Sequence, residues 1–218
     1  MAGLLKIYGQ SDSGNCHKVK FTVDRLGIPS EWIETNNMAG EARTPEFLAI
    51  NAFAEVPAVV LPDGRRLWQS NAITQYLAEG TELLPEDTYA RAQVSAWQFW
   101  EQYSHKPYIA VCRAQLLFRG FTPDRLEPWR VERGNRALDF MEAHLAARDW
   151  FVGEHLTVAD ISLFAYTRLA HEGNFDLAPR SRVQDWIART AQELGVSPAW
   201  TSCRISLRAA PCRGPRPP

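Results

Sequence analysis

The stretch at 51–78, NAFAEVPAVVLPDGRRLWQSNAITQYLA, limits the possible folds of this chain more than any other part of the sequence. A Val-Pro step precedes an apolar run at 58–61, which predicts a strand, and the Pro-Asp-Gly sequence that follows predicts a turn. A second short strand ends at Trp68, and Ser70 is a favourable N-cap for a helix with apolar residues at helical spacing. The sequence therefore predicts a hairpin that leads into a helix.

The N-terminus of that helix is a candidate anion site. Its first backbone N–H groups have no intrahelical partners, and the helix dipole places a partial positive charge there. Both features suit a carboxylate or a phosphate group. The same pattern also describes a hairpin and a capped helix that bind no ligand, so the stretch by itself leaves two interpretations.

Two motifs in this stretch, Val56-Pro57 and Gln69-Ser70-Asn71-Ala72-Ile73, resemble the glutathione-binding half of the glutathione S-transferase family. The resemblance implies that the Val56–Pro57 peptide bond is cis, and that Val56 binds the cysteinyl part of glutathione through its backbone N–H and C=O. It also implies that Gln69 and Ser70 hold the γ-glutamyl carboxylate. Many relatives have glutamate in place of Gln69, so this chain carries one negative charge fewer near the amino group of the ligand.

Length and charge narrow the class of protein. The 218 residues can form one large or two modest domains, and a net charge of −1 argues against nucleic acid as a partner. No signal-peptide pattern begins the chain, and no apolar run approaches the roughly 18 residues that cross a membrane. We therefore expect a soluble cytoplasmic protein with no membrane partner.

Cysteine and histidine spacing predicts no metal site. The four cysteines lack zinc-type spacing and are too sparse for a disulfide scaffold, which fits a reducing compartment that contains glutathione. His144, His155 and His171 share no metal-ligand spacing with acidic residues. We therefore expect no metal and no cofactor, with glutathione as a co-substrate.

The first half of the chain has the element order of an α/β domain. A buried strand at 4–8, a helix that ends near Gly27, a strand at 31–35 and a short helix at 44–48 precede the hairpin and its helix. The order is therefore βαβαββα, which is thioredoxin-like.

The second half predicts helices alone, after a linker at 81–88. The predicted helices are 89–118, kinked or divided at Pro107, then 123–147, one that starts at a Thr157–Asp160 capping box, and 183–194. The capping-box segment also resembles a core motif of the same family, in which an all-helical domain follows a thioredoxin-like one. We expect a thioredoxin-like domain at 1–82, an all-helical domain at 89–201 and an irregular or disordered tail at 203–218.

The resemblance places the activating hydroxyl of serine-type transferases at Ser13, with Ser11 as the nearest alternative. That hydroxyl would keep the glutathione sulfur as a thiolate, which is its nucleophilic form. Lowering a thiol pKa from about 8.5 to about 6.5 takes roughly 2.7 kcal/mol. A hydroxyl that donates to a charged acceptor supplies about 1.5–3 kcal/mol, and a helix N-terminus supplies about 0.3–2 kcal/mol. Ser13 at a helix start would therefore need no metal and no catalytic base.

Further candidates are weaker. The resemblance places the electrophile pocket along the first helix of the helical domain, where Tyr103, Tyr108 and Arg113 are candidates, although such residues also serve in packing or at the surface. The candidates to contact the glycyl carboxylate or to flank the sulfur of glutathione, with a solvated surface role as the alternative, are Asn15, Lys18 and Arg43.

Three functions remain open. The first is a glutathione transferase that acts on small hydrophobic electrophiles in detoxification. The second is a glutathione-dependent disulfide reductase or peroxidase, because Cys16 keeps the second position of a Cys-x-x-Cys pattern, although a buried and inert Cys16 is the simpler interpretation. The third is a non-catalytic interaction module, since a fold does not fix a function. In several classes of the family an aromatic residue at the position of Phe53 inserts into a partner subunit, so we also expect a homodimer.

Overall fold

A four-stranded mixed sheet forms in the first half of the chain in the computed structural model, which describes residues 3–197. The strands are β1 (Leu5–Gly9), β2 (Ser30–Glu34), β3 (Ala58–Val60) and β4 (Arg66–Trp68), and their order in the sheet is β2-β1-β3-β4. β1 and β2 are parallel, whereas β3 is antiparallel to both β1 and β4. The predicted hairpin is therefore confirmed as β3 and β4.

Three helices accompany this sheet, namely α1 (Gly14–Arg25), α2 (Pro45–Leu48) and α3 (Ser70–Ala78). Helix α1 connects the two parallel strands and buries Val19 and Val23 against the apolar side chains of the sheet. Ile73 of α3 joins the same cluster, because its position on the apolar face of that helix points toward the strands. The predicted βαβαββα order is confirmed.

The second half of the described chain is helical. It contains α4 (Thr88–Trp100), α5 (Lys106–Phe118), α6 (Pro128–Leu145), α7 (Val158–Thr167) and α8 (Ser181–Glu193). The predicted helix at 89–118 is divided, because one π-helical turn, Glu101–His105, separates α4 from α5. Pro107 lies in the first turn of α5, where its missing N–H costs no intrahelical hydrogen bond.

Helix α7 forms the centre of the helical core, and its residues are buried from end to end. The predicted capping box is confirmed, with Thr157 as N-cap and Asp160 as its reciprocal partner. Asp160 is fully buried and accepts four hydrogen bonds, from Phe151 N–H, from Thr157 N–H and O–H, and from Trp186 Nε1–H, at 2.9–3.0 Å. One carboxylate therefore joins the start of α7 to α8 and to the segment before α7.

The two halves share one apolar core across α1 and α7. The Phe21 and Phe164 rings lie 5.7 Å apart, and Phe21, Ala78, Leu83 and Leu84 belong to the same buried cluster as the helical core. The predicted tail at 203–218 lies outside the described residues, as does 198–201 of the predicted helical domain. Within 3–197, no helix combines the length and the apolar character that a membrane crossing requires.

Replacing Asp160 with alanine tests the capping box. The substitution leaves four buried donors without an acceptor, so we expect Asp160→Ala to lower the free energy of unfolding by about 3–5 kcal/mol. Asp185→Ala, at an exposed position of α8, is the control and should change it by less than about 0.5 kcal/mol. Urea unfolding followed by tryptophan fluorescence measures both, and equal losses in the two variants would contradict this role for Asp160.

Candidate active site

The segment before β3 has the backbone form that the sequence implied. The Val56–Pro57 peptide bond is cis. Asn51 is buried and shapes the preceding loop, because its side chain donates to Glu55 O at 2.8 Å and accepts from Phe53 N–H at 3.1 Å. Val56 therefore lies between the loop that Asn51 holds and strand β3, which pairs with β1.

The N-terminus of α3 differs by one residue from the prediction. Ser70 is the buried first residue of the helix, and Gln69 is the N-cap, so the prediction of Ser70 as N-cap was wrong. Gln69 has φ 69° and ψ 109°, a region that side-chain-bearing residues rarely occupy and that costs about 1–3 kcal/mol. No side chain caps this helix. The first-turn N–H groups are therefore left to another acceptor, and a carboxylate is one that suits them.

Ser13 is the N-cap of α1 and does not use its hydroxyl as a cap. Its backbone N–H donates to Gln10 O and its carbonyl accepts from His17 N–H, both at 3.0 Å. The hydroxyl instead lowers the pKa of the neighbouring Cys16 thiol, against the larger effect of burial. The prediction that Ser13 lies at or just before the helix start is confirmed. The Ser13 hydroxyl therefore lies at the positive end of the α1 dipole.

Cys16 lies one turn inside α1 and is fully buried. Its sulfur accepts from Gln10 N–H at 3.3 Å. Burial raises the pKa of this thiol to about 11, although the Ser13 and Gln10 donors act in the opposite direction. At neutral pH the thiol stays protonated and inaccessible, which is the inert state that the simpler interpretation predicted.

Ser11 has both backbone groups engaged before the helix begins. Its N–H donates to the Glu34 carboxylate and its carbonyl oxygen accepts from His17 Nε2, both at 2.9 Å. Ser11 precedes the N-cap by two residues, so it lies farther than Ser13 from the N–H groups of the first turn of α1. This placement favours Ser13 as the hydroxyl next to an anion.

Lys18 has a different partner from the one expected. It is fully buried and forms an ion pair with Glu101 at 2.7 Å, and it also donates to Asn71 Oδ1 at 3.2 Å. Burial lowers the pKa of Lys18, and the Glu101 carboxylate opposes that change. The solvated surface role was therefore wrong, and the structure pairs the ammonium group with a carboxylate of the helical half. Sequence reasoning missed Glu101, which is 83 positions away.

The two remaining candidates for contact with glutathione, Asn15 and Arg43, differ in burial. Asn15 is half-buried in the first turn of α1, and its Oδ1 atom is buried without a hydrogen-bond partner. Arg43 is exposed on a short 3-10 turn, Glu41–Arg43. Of the two, only Asn15 lies on the same helix tip as Ser13.

The three electrophile candidates do not share one surface. Arg113 is 7% exposed, pairs with Glu172, and donates to Asp12 O at 2.9 Å, so it contacts the loop that carries Ser13. Tyr108 lies five residues earlier, about 140° around the helix. Its ring contacts Trp129, and its hydroxyl accepts from Arg133.

Tyr103 is 81% exposed in the π-helical turn. The structure therefore brings Arg113 alone of the three into contact with the Ser13 loop. Two residues that sequence reasoning missed accompany it on α5. Phe118 has its ring 5.7 Å from the Arg113 guanidinium, and Leu117, one turn beyond Arg113, is 49% exposed. The spacing of one turn from Arg113 was the only sequence signal for Leu117.

A separate groove of about 610 Å³ lies between the π-helical turn and α6. Its lining includes Trp100, Ser104, Tyr108, Arg136 and Phe140. The Phe53 ring, on the loop before the cis peptide bond, is 63% exposed and lies 6.2 Å from the Trp68 ring. The protein therefore presents an exposed aromatic side chain at one place and a groove with aromatic walls at another. Within residues 3–197, no group of three or more His, Cys, Asp or Glu side chains is placed to hold a metal ion.

Comparison with known proteins gives consistent matches over most of the chain. Two family models match, Glutathione S-transferase, N-terminal domain, at residues 12–79, and Glutathione S-transferase, C-terminal domain, at residues 110–189. Glutathione S-transferase 3 of Zea mays is 34% identical over 166 residues, which are 72% of this chain and 73% of that protein.

Solved structures agree with those matches. The structure of a glutathione S-transferase from Pseudomonas fluorescens superposes with a TM-score of 0.83 at 44% identity, covering 87% of this chain and 95% of that one. The structure of Ure2p in complex with glutathione has a TM-score of 0.79 at 22% identity and covers 89% and 92% of the two chains, which is a likeness of fold alone.

The buried histidines predict a loss of stability in acid. Burial lowers the pKa of His105 from 6.5 to about 4, with Glu101 opposing and Lys18 adding to the change. Between pH 4 and pH 6.5 the unfolded chain therefore binds more protons at this residue than the folded protein does. The contribution of His105 to the free energy of unfolding is complete above about pH 6.5 and is lost as the pH falls toward 4. It amounts to about 3 kcal/mol.

We expect His105→Gln to reduce the fall in unfolding free energy between pH 7 and pH 4.5, because that residue no longer titrates. Urea unfolding at several pH values measures the difference between wild type and variant, in which the contributions of the carboxylates cancel. His155→Gln is the control, and its profile should run parallel to that of the wild type. Parallel profiles for His105→Gln would contradict the argument.

Proposed function

The chain belongs to the glutathione S-transferase family, and we propose that it transfers the glutathione thiolate to small hydrophobic electrophiles, with Ser13 stabilising the thiolate. One observation carries the proposal: the Ser13 hydroxyl lies at the N-terminus of α1 without serving as its cap. A thiolate placed there receives a charge-assisted hydrogen bond and the positive end of the helix dipole together.

The backbone around two helix tips supports the binding of glutathione. The cis bond at Val56–Pro57 precedes β3, and the uncapped start of α3 carries Gln69 and Ser70. We propose that Val56 pairs with the cysteinyl backbone of glutathione and that the Gln69–Ser70 tip binds the γ-glutamyl carboxylate. We also propose that Asn15, which is half-buried in the first turn of α1, contacts the bound ligand.

Thiol transfer to an electrophile fits this site better than disulfide exchange does. Exchange on the protein would need an accessible cysteine thiolate, and Cys16 is fully buried with its pKa raised to about 11. The serine hydroxyl at the tip stabilises an anion without forming a mixed disulfide. The nucleophile is therefore the ligand sulfur, and the protein supplies its position and its ionisation.

The electrophile pocket that we propose lies on the Arg113 side of α5. Arg113 contacts Asp12 of the Ser13 loop, and the half-exposed Leu117 and Phe118 extend apolar surface from it. Apolar walls next to the thiolate favour small hydrophobic electrophiles. Tyr103 and Tyr108 lie apart from this surface, so we do not place them in the pocket.

Ser13→Ala tests the thiolate role. Loss of the donor should raise the pKa of the bound glutathione thiol by about one to two units, because the hydroxyl contributes about 1.5–3 kcal/mol. We expect kcat/KM for conjugation of a chloronitroaromatic electrophile to fall about 10- to 100-fold at pH 6.5, with glutathione affinity within about threefold of wild type.

Ser11→Ala and Cys16→Ala are the matched controls and should each retain the wild-type pH profile. Thiolate absorbance in the ultraviolet and isothermal titration calorimetry provide the two readouts. If Ser11→Ala abolishes the thiolate and Ser13→Ala does not, the activating residue is Ser11. If neither changes it, the serine mechanism is wrong.

We also propose that the protein is a homodimer in which Phe53 of each subunit enters the groove of the other between the π-helical turn and α6. Phe53 projects from the loop that Asn51 holds, and an isolated monomer leaves Phe140, which lines the groove, 52% exposed. Exposed aromatic side chains around a groove mark an interaction surface. A two-fold axis between the subunits places each Phe53 side chain in the groove of the other subunit.

Phe53→Ala should weaken this dimer. An aromatic anchor in a pocket contributes at least about 2 kcal/mol, which corresponds to a rise of about 30-fold in the dissociation constant. Leu4→Ser removes another exposed apolar side chain, 52% exposed, and is the control that should leave the constant unchanged. Sedimentation equilibrium measures both, and equal dissociation constants for Phe53→Ala and wild type would contradict the proposed contact.

A further inference from the structure

The loop between β1 and α1 has every carbonyl oxygen from Gln10 to Ser13 engaged. Gln10 O accepts from Ser13 N–H at 3.0 Å, and Ser13 O accepts from His17 N–H at 3.0 Å. These two bonds lie within the first half of the chain. The carbonyl oxygens of Ser11 and Asp12, between them, are held by side chains of His17 and Arg113, each at 2.9 Å.

The contact at Ser11 reaches the helical half through His17. Arg168 Nη2 lies 3.2 Å from His17 Nδ1. A guanidinium group has no acceptor, so Nδ1 must accept and Nε2 must carry the proton. Nε2 therefore donates to Ser11 O. Burial, followed by the charge of Arg168, lowers the pKa of His17 to about 4, so this neutral tautomer persists at neutral pH.

The contact at Asp12 comes from the helical half directly. Arg113 lies on α5 and donates to Asp12 O through Nη1, while its Nε donates to the Glu172 carboxylate. Glu172 lies in the 3-10 turn Ala170–Gly173, a few residues beyond Arg168 at the end of α7. One short segment of the helical half, 168–173, therefore contains both Arg168, which contacts His17, and Glu172, which pairs with Arg113.

We propose that Arg113 and the Arg168–His17 pair are positioning residues that fix the direction of the Ser13 hydroxyl. The inference rests on the proposed role of Ser13 and adds to it the side chains that keep Ser13 in place. With the backbone carbonyls held on both sides, rotation about χ1 is the main freedom left to Ser13. A displacement of about 1 Å at a reacting group can cost about 100-fold in rate, so the loop needs such support.

A substitution near the loop changes the electrostatics of the charged and titratable groups around it. Those that contact it, or that act on His17, are Asp12, Glu34, His17, Arg113, Arg168 and Glu172. A substitution at Arg113 that keeps its charge separates hydrogen-bond geometry from electrostatics. Arg113→Lys does this, because one ammonium group cannot present the fork that reaches Glu172 and Asp12 together.

Arg180 provides a matched control in the same half of the protein. Its side chain is 9% exposed, as is that of Arg113, and it also pairs with a carboxylate, Asp139, while donating to a backbone carbonyl, Asp176 O. Arg180→Lys should therefore lower stability by a similar amount. It should not change the chemistry at Ser13.

The test compares Arg113→Lys with Arg180→Lys under conditions in which both are folded. We expect Arg113→Lys to lower kcat about tenfold and to raise the pKa of the bound glutathione thiol by about one unit, with KM for glutathione within about twofold. Arg180→Lys should leave all three unchanged. Equal changes in the two variants, or no change in Arg113→Lys, would overturn the proposal.

His17 supplies a second comparison that does not depend on Arg113. His17→Gln keeps a side-chain N–H that can donate to Ser11 O, whereas His17→Phe keeps the ring shape next to Phe21 and removes the donor. We expect the glutamine variant to retain the thiol pKa of the wild type and the phenylalanine variant to raise it. The reverse order would overturn the assignment of His17.

Hydrogen exchange of the backbone amides at 10–14 separates this inference from the proposed function. We expect faster exchange in Arg113→Lys and His17→Phe than in Arg180→Lys, whether or not glutathione ionises. Unchanged exchange would overturn the inference even if the wild type is an active transferase. A wild type that binds glutathione without forming a thiolate would overturn the proposed function, and the exchange would then show only whether the loop is held.

Discussion

A buried polar cluster between the two halves of the chain determines where the candidate active site lies. Lys18 of α1 pairs with Glu101, and Asn71 at the start of α3 contacts both of them. Asn71 also donates to Gln98 O at 3.1 Å, and the Gln98 side chain donates to Ser162 of α7 at 2.9 Å. Because each donor needs its own acceptor in a medium of low dielectric, the helices cannot slide without leaving a buried polar group unpaired. We infer that this cluster fixes the tips of α1 and α3 relative to each other.

The five residues of the π-helical turn, Glu101–His105, face two different parts of the structure. Glu101 points inward to Lys18, while Ser104 lines the groove that we propose for Phe53. A regular helix through this segment would advance by about 100° per residue, and the wider π turn changes that phase. Glu101 Oε1 is buried without a hydrogen-bond partner, which marks the cost of bringing this carboxylate inside. The same irregular turn therefore serves the ion pair with α1 and the proposed subunit contact.

Local signals in the sequence predicted the secondary-structure elements, but they did not predict the long-range contacts. The hairpin, the Thr157–Asp160 capping box and the position of Ser13 each depend on residues within a few positions of one another. Lys18 and Glu101 are 83 positions apart, and Arg113 and Asp12 are 101 positions apart, so no propensity links them.

The errors have equally physical causes. Ser70 was assigned as N-cap because serine commonly caps helices, but Gln69 has a positive φ and takes that position. Tyr103, Tyr108 and Arg113 are predicted as electrophile candidates along one helix, and the rotation between them and the π turn at Tyr103 direct them to different surfaces. Sequence reasoning also did not assign the effect of the Ser13 hydroxyl on Cys16, whose thiol pKa it lowers. That effect matters for the chemistry, because a hydroxyl has one proton to donate.

A bound thiolate has to compete with Cys16 for the Ser13 proton, and charge decides the competition. The Cys16 thiol is neutral, since burial raises its pKa to about 11, and a neutral thiol sulfur is a weak acceptor. Hydrogen bonds to an ionised acceptor are roughly twice as strong as those between neutral groups. Gln10 N–H continues to donate to the Cys16 sulfur after Ser13 turns away, so that sulfur is not left unpaired. In the proposed mechanism, the hydroxyl therefore turns from the buried thiol to the glutathione thiolate with a net gain in free energy.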